Sequence, residues 1–145
     1  MTWPVHARIE GRVVMIGLGS IGRGTLPLLL RHVGFDRDRM VIIEPNPAAK
    51  PIADLYGIRF LNVALTRDNY RDVLAPLLEP GGFLLNLSVE VESCALIRLA
   101  SEAGCAYLDT CIEPWPGGYT DPNLSASERS NYALRESALA LGRSA

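Results

Sequence analysis

Short apolar runs alternate with helix-compatible segments along most of this chain of 145 residues. The apolar runs predict five strands, at residues 12–17, 40–44, 58–63, 83–87 and 106–109. The segments between them predict four helices, at 20–32, 47–56, 68–78 and 91–103. The predicted strands are apolar almost throughout, which is typical of strands that are buried on both faces. The sequence therefore predicts an α/β fold, in which helices cover both faces of a doubly wound parallel sheet.

The pattern changes after the fifth predicted strand. Proline and glycine interrupt residues 112–124 repeatedly, which predicts an ordered loop. Residues 125–141 predict an amphipathic helix that begins at Ser125, with Glu128 as the second member of a capping box. The length fits one ordinary domain, and we predict a single domain over residues 1–145.

Composition narrows the classes of function. The chain has 14 Lys and Arg against 16 Asp and Glu, and a formal net charge of −2 argues against general nucleic-acid binding. No apolar run approaches the roughly 20 residues of a membrane span, and the first residues lack the pattern of a signal peptide. The three cysteines are odd in number and form no C-x-x-C motif, which favours reduced thiols in the cytoplasm. The two histidines lie far from them in sequence, so no metal site is predicted.

A glycine-rich turn follows the first predicted strand. Gly17, Gly19 and Gly22 have the spacing G-x-G-x-x-G between an apolar strand and a helix. The first permits a tight turn, the second lets phosphates approach the backbone, and the third lets the helix pack closely on the strand. With Ser20 and Ile21 they predict a dinucleotide-binding turn of a Rossmann-like fold, whose helix N-terminus faces the pyrophosphate. The alternative is a Rossmann-like turn that binds no ligand.

An acid at the end of the second predicted strand supports the dinucleotide interpretation. Glu44 lies 22 residues after Gly22, where an acid binds the hydroxyls of the adenosine ribose. A carboxylate at this position repels a 2′-phosphate, and no arginine follows it, because the next residues are Pro45-Asn46-Pro47. We therefore predict that the cofactor is NAD in preference to NADP.

The loops after the fourth and fifth predicted strands are rich in carboxylates. Because the carboxyl ends of parallel strands share one edge of the sheet, these acids are expected near the nicotinamide end of the cofactor. They are Glu90, Glu92, Asp109 and Glu113. Such a cluster suits a cationic substrate, whereas in the alternative interpretation Glu92 is a solvated helix residue and Asp109 caps a neighbouring element. We also predict cofactor contacts in these loops by Asn86, Ser88 and Thr110.

Two other side chains of the last loop have both a functional and a structural interpretation. Cys111 could act as a nucleophile, but neither histidine is an evident basic partner, so a small buried hydrophobe is favoured. Trp115 could stack on a cation or a ring of the substrate, or it could be an aromatic side chain packed within the loop.

Four separated segments of the chain resemble bacterial homospermidine synthases, which belong to the saccharopine dehydrogenase-like group. The segments are Val14–Leu28 with the glycine turn, Asn86–Glu90, Tyr107–Trp115 and Asn131–Glu136. They have the same order and similar spacing in that family, and the resemblance covers nearly the whole chain.

The resemblance implies an enzyme that uses NAD as a prosthetic redox group. Putrescine is oxidised to an imine, an aminobutyl group passes to a second amine, and the new imine is reduced, so that homospermidine and ammonia form. Carried over to this chain, the residues that would hold NAD are Gly17, Gly19, Ser20, Ile21, Gly22 and Glu44. Glu90 and Glu113 would be the catalytic acids near the substrate amines, and Trp115 a further substrate contact. Relatives carry aspartate at the position of Glu90, so the charge is kept and its reach is longer.

Members of that family are considerably longer than this chain. The resemblance therefore implies that a second domain, with further substrate contacts and the surface of a homodimer, lies outside these residues, and that the isolated chain is inactive. Two other interpretations remain open. One is another amine-forming oxidoreductase of the same group, whose carboxylate-bearing substrate would call for an arginine that the acidic loops lack. The other is a dinucleotide-binding module without catalysis.

Overall fold

A computed structural model describes residues 3–141 of the chain. The strands within these residues are β1 (Ala7–Arg8), β2 (Val13–Ile16), β3 (Val33–Gly34), β4 (Val41–Ile43), β5 (Arg59–Leu61), β6 (Phe83–Asn86) and β7 (Ala106–Asp109). The α-helices are α1 (Ser20–His32), α2 (Lys50–Leu55), α3 (Tyr70–Leu74), α4 (Ser93–Glu102) and α5 (Asn131–Ala140). All five predicted strands and the four helices between them are present, most of them with shorter ends than predicted.

Five of the strands form one parallel sheet in the order β5-β4-β2-β6-β7. The register pairs Ile16, at the end of β2, with Ile43 of β4 on one side and Asn86 of β6 on the other. The chain first winds outward from β2 through β4 and β5, and then continues on the opposite side of β2. The predicted Rossmann-like, doubly wound fold is confirmed. The reversal of strand order opens a crevice at the carboxyl ends of β2 and β6.

Different helices cover the two faces of this sheet. Val14 and Ile16 of β2 pack in one hydrophobic cluster with side chains of α3 and α4. Val13 and Met15 of the same strand pack in a second cluster with α1 and α2. All four side chains are at most 3 % exposed. Both faces of the strand are therefore buried, which explains its continuous apolar sequence.

The helix predicted at 125–141 begins later than expected. Ser125 and Glu128 do form the reciprocal hydrogen bonds of a capping box, at 2.8 and 3.3 Å, but these bonds close a separate turn. The helix α5 begins at Asn131, and the Oγ of Ser130 caps it by accepting a hydrogen bond from the N–H of Ala133. The predicted boundary was wrong because two capping signals follow each other and only the second precedes the helix.

Smaller differences lie at other boundaries. The helix predicted at 68–78 is divided into α3 and a 3₁₀ turn at Ala75–Leu77, where Pro76 lacks an N–H for the α-helical pattern. The short parallel pair of β1 with β3 was not predicted, because two-residue strands are too short for a hydrophobic period. None of the helices within residues 3–141 is long and apolar enough to cross a membrane.

Candidate functional site

The glycine-rich turn connects β2 to α1 at the crevice. Gly17 has a φ of +95°, in the left-handed region, and its N–H donates to the carbonyl of Ile43 at 2.9 Å. A Cβ on Gly17 would lie 2.9 Å from the backbone carbonyl carbon of Leu87. Both the conformation and the lack of space therefore require glycine here.

Gly22 and Gly19 have opposite surroundings. A Cβ on Gly22 would lie 2.5 Å from the carbonyl oxygen of Gly17, so the close packing of α1 on the turn depends on the missing side chain. A Cβ on Gly19 would have no heavy atom within 4 Å. The space beside Gly19 is therefore open to a ligand.

The start of α1 presents backbone donors near this open space. No side chain caps the helix at Gly19, and its first turn contains no acidic residue. The first N–H groups of an α-helix have no acceptor within the helix, so those of Ser20, Ile21 and Gly22 can bind an anion. Open space at Gly19 and an uncapped helix N-terminus together fit the pyrophosphate of a dinucleotide.

Glu44 directly follows β4, and its carboxylate reaches back to the turn. Its Oε2 accepts a hydrogen bond from the N–H of Leu18 at 2.7 Å, and its Oε1 accepts one from the N–H of Asn46 at 2.8 Å. Each carboxylate oxygen keeps a further lone pair for another donor. The carboxylate thus lies beside the glycine turn, as a residue that binds the ribose hydroxyls must.

A cavity of about 300 Å³ lies at the carboxyl ends of the strands. It is lined by the ends of β2 and β4, by residues 63–66 after β5, by residues 88–91 after β6, and by Pro116. Ligands of open parallel sheets bind in the crevice where the strand order reverses. The cavity is therefore in the place expected for the cofactor.

Asn86 and Ser88 form a polar pair at the end of β6. Asn86 is 1 % exposed, and its Oδ1 accepts hydrogen bonds from the N–H and the hydroxyl of Ser88 at 3.1 and 2.6 Å. Ser88 lines the cavity, and Asn86 supports it from within the sheet. The Nδ2 of Asn86 is buried and has no hydrogen-bond partner among the described residues. Thr110 is exposed beyond β7 and is not part of the cavity wall.

The structure places the two predicted catalytic acids in different surroundings. Glu90 is exposed, lines the cavity and has a left-handed φ of 62°. Glu113 does not line that cavity. Its backbone is joined to Ser93 at the start of α4 by two hydrogen bonds, in which the N–H of Glu113 donates to Oγ of Ser93 and the N–H of Ser93 donates to the carbonyl of Glu113, both at 2.9 Å. Of these two acids, the cavity wall therefore includes Glu90 alone.

Glu113 and Asp109 lie near Cys111. Partial desolvation raises the pKa of the Cys111 thiol, followed by hydrogen bonding with the Glu113 side chain and by the charges of Glu113 and Asp109. Partial desolvation and the charge of Glu113 likewise raise the pKa of Tyr119. Cys111 is exposed, so its interpretation as a buried hydrophobe was wrong. A raised pKa also makes it a poor nucleophile.

Asp109 accepts a hydrogen bond from a tyrosine that the sequence did not single out. The hydroxyl of Tyr107 donates to Oδ2 of Asp109 at 2.8 Å. Burial and the neighbouring charge of Asp109 raise the pKa of Tyr107, so the hydroxyl remains a donor. Asp109 also lines a separate cavity of about 500 Å³ that Ile97 of α4 and Arg135 of α5 help to form. Since aromatic residues are common in strands, no pattern marks Tyr107 as a support for an acid.

Trp115 is packed inside the molecule. It is 5 % exposed, belongs to the hydrophobic cluster beneath α3 and α4, and lies against Tyr70 with ring centroids 5.4 Å apart. A substrate amine cannot reach the ring in this arrangement. Of the two interpretations of Trp115, the structure therefore agrees with the packed aromatic side chain.

The strand order and the glycine turn define a Rossmann-like domain of the dinucleotide-binding type. A family model described as the saccharopine dehydrogenase NADP binding domain matches residues 13–145. The chain belongs to this family.

Individual relatives of the chain bear more specific names than the family model does. The chain is 54% identical over 144 residues to a homospermidine synthase from Blastochloris viridis, covering 97% of the chain and 30% of that relative. It is 49% identical over 137 residues to a homospermidine synthase from Mesorhizobium japonicum, covering 92% and 28%. A crystal structure of the homospermidine synthase from Legionella pneumophila in complex with NAD matches with a TM-score of 0.78 and 30% identity, over 92% of the chain and 28% of that protein. The chain spans less than a third of each of these proteins.

Proposed function

We propose that this chain is the NAD-binding part of a homospermidine synthase. The observation that carries the proposal is the 54% identity to such an enzyme over 97% of the chain. The complete protein would transfer an aminobutyl group from putrescine to a second amine and release ammonia, in polyamine biosynthesis. It would act as a homodimer in the cytoplasm, and the three free cysteines support a reducing compartment.

The proposed binding of the nucleotide is supported by the glycine-rich turn and by Glu44. The N–H groups at the start of α1 would bind the pyrophosphate, and the space beside Gly19 admits it. The Glu44 carboxylate would accept hydrogen bonds from the ribose hydroxyls. When bound, NAD would exchange a hydride reversibly with the carbon atom that carries the substrate amine.

The preference for NAD over NADP is proposed from Glu44, although the family model bears the name NADP. A carboxylate held at 2.7 Å from the N–H of Leu18 would face a 2′-phosphate and repel it. Calorimetric titration of the chain should give a Kd for NAD at least about tenfold below that for NADP, because one charge-assisted hydrogen bond contributes roughly 1.5–3 kcal/mol. Equal affinities would overturn the assignment of Glu44.

The proposed binding of the substrate amines is supported by carboxylates that follow β6 and β7. Glu90 lines the cavity, and Glu113 and Asp109 contribute negative charge beside Cys111. Ammonium groups of a diamine would bind to such acids. In this role Glu113 and Glu90 orient the amines, and one of them accepts the proton that an amine loses before oxidation.

A chimeric enzyme tests the activity. Residues 1–145 would replace the matching segment of the Blastochloris viridis homospermidine synthase, and products from putrescine would be separated by chromatography. We expect homospermidine and ammonia from the chimera and neither from the isolated chain, because a single open sheet leaves the reacting carbon in water. A chimera that folds and binds NAD but forms no homospermidine would refute the proposed activity. Turnover by the isolated chain would show that all catalytic residues lie within it.

A further inference from the structure

Asn62 lies directly after β5 and belongs to none of the motifs that the sequence predicts. Its Nδ2 donates two hydrogen bonds to the end of β4, to the carbonyl of Glu44 at 3.0 Å and to the carbonyl of Pro45 at 2.9 Å. The N–H of Glu44 donates to the carbonyl of Leu61 at 3.1 Å. The end of β5 therefore holds both the N–H and the carbonyl of Glu44.

The side chain of Glu44 depends on this backbone position. Its two oxygens accept hydrogen bonds from Leu18, in the glycine turn, and from Asn46, in its own loop. These bonds at 2.7 and 2.8 Å require that the end of β4 stay at a fixed distance from the turn. If the carbonyls of Glu44 and Pro45 lost their donor, the loop could move and carry the carboxylate with it.

We propose that Asn62 is a positioning residue that sets the preference for NAD over NADP by fixing Glu44. The inference rests on the proposed function, in which the carboxylate binds the ribose. The 2′-hydroxyl of NAD donates to a carboxylate, whereas the 2′-phosphate of NADP is repelled by it. Both effects depend on where the carboxylate lies. Loosening it weakens NAD binding and at the same time relieves the repulsion of NADP.

Asn69 provides a matched control, because it makes similar hydrogen bonds to the loop that follows Asn62. Its Oδ1 accepts a hydrogen bond from the N–H of Thr66 at 2.8 Å, and its Nδ2 donates to the carbonyl of Ala64 at 2.9 Å. Ala64 and Thr66 line the cavity, but none of these bonds involves Glu44. Asn69→Ala should therefore loosen the wall without moving the carboxylate.

The experiment compares nucleotide affinities of the chain and of its Asn62→Ala and Asn69→Ala variants. The Kd values for NAD and NADP are measured by calorimetry, with thermal unfolding as a check of folding. Asn62→Ala should weaken NAD binding about three- to tenfold, as expected for one or two exposed hydrogen bonds, and should lower the NAD preference by at least that factor. Asn69→Ala should change both affinities alike and leave the preference unchanged. Asn62→Ser keeps one donor and should restore part of the preference.

The outcomes separate this inference from the proposed function. An unchanged preference in Asn62→Ala, or an equal loss of both nucleotides, would overturn the role of Asn62 even if the Tm fell. If the alanine variant did not fold, the preference of Asn62→Ser would decide, and a preference equal to that of the unaltered chain would count against the inference. If the unaltered chain bound neither nucleotide, the proposed function would fail instead.

Discussion

The two ends of the proposed site differ in how their acids are held. At the nucleotide end, both oxygens of Glu44 accept backbone hydrogen bonds, and its backbone is held by β5. At the amine end, Glu90 is exposed and has a left-handed φ, and the backbone of Glu113 is hydrogen-bonded to the start of α4. The carboxylate of Glu44 is therefore preorganised by hydrogen bonds to its own oxygens, whereas the two hydrogen bonds between Glu113 and Ser93 hold the backbone of Glu113. Preorganised groups bind with a smaller loss of entropy.

This difference determines which experiments are informative on the chain alone. The groups proposed for the nucleotide lie in the turn and beside it, within the described residues, so affinity for NAD can be measured directly. The proposed amine contacts depend on how the loops after β6 and β7 bind a substrate. They are best tested in the chimera, where the remaining part of the relative is present.

Gly19→Val gives the largest expected effect at the nucleotide end. The valine side chain would occupy the open space beside the helix N-terminus, where an added Cβ has no heavy atom beyond its chain neighbours within 4 Å, and would exclude the pyrophosphate. We expect NAD affinity to fall at least about 100-fold, since several charge-assisted hydrogen bonds would be lost together. The Tm should change little, because the added side chain meets no neighbour.

Gly22→Ala is the counterpart of that variant. Its Cβ would lie 2.5 Å from the carbonyl oxygen of Gly17, so the helix must shift. Overpacking of this kind costs about 1–3 kcal/mol, which lowers the Tm of a domain of this size by several degrees. If Gly19→Val lowered the Tm as much as Gly22→Ala, the open space at Gly19 would not be a binding site but a region needed for folding.

The parts that the sequence predicted correctly depend on local requirements. Gly17 needs a left-handed φ, and Gly22 needs close contact with the turn, so both appear as spacing along the chain. The support of the acids is not local. Asn62 bonds to a residue 18 positions earlier, and Ser93 bonds to one 20 positions later. Such pairs depend on how segments distant in sequence pack together, and the hydrophobic pattern of the sequence does not predict them.

Glu113→Gln in the chimera tests the amine end. Loss of the charge removes one ion-paired contact with a substrate ammonium, which contributes roughly 1.5–3 kcal/mol. The kcat/KM for putrescine should fall about 10- to 100-fold, while the Kd for NAD stays nearly unchanged. Steady-state kinetics and calorimetry on the same preparation give both values. An unchanged kcat/KM would assign Glu113 a purely structural role, alongside Ser93.

The smallest expected effect is on the reactivity of Cys111. Partial desolvation and the charge of Glu113 raise the pKa of this exposed thiol, so less thiolate is present at a given pH and alkylation is slow. Glu113→Gln removes the negative charge. The pKa should then fall, the pH profile of alkylation should move to lower pH, and the rate at pH 8 should rise by about threefold.

Mass spectrometry of the peptide that contains Cys111 separates its labelling from that of the other thiols. Cys94 and Cys105 are buried, and burial raises the pKa of Cys105 to about 11, so both should remain unlabelled in the folded chain. Asp54→Asn is the matched control, because this acid lies on α2, which packs on the opposite face of the sheet. A profile that moves equally in both variants would reflect net charge rather than the neighbourhood of Glu113. A profile that does not move in Glu113→Gln would mean that the carboxylate of Glu113 does not lie beside Cys111.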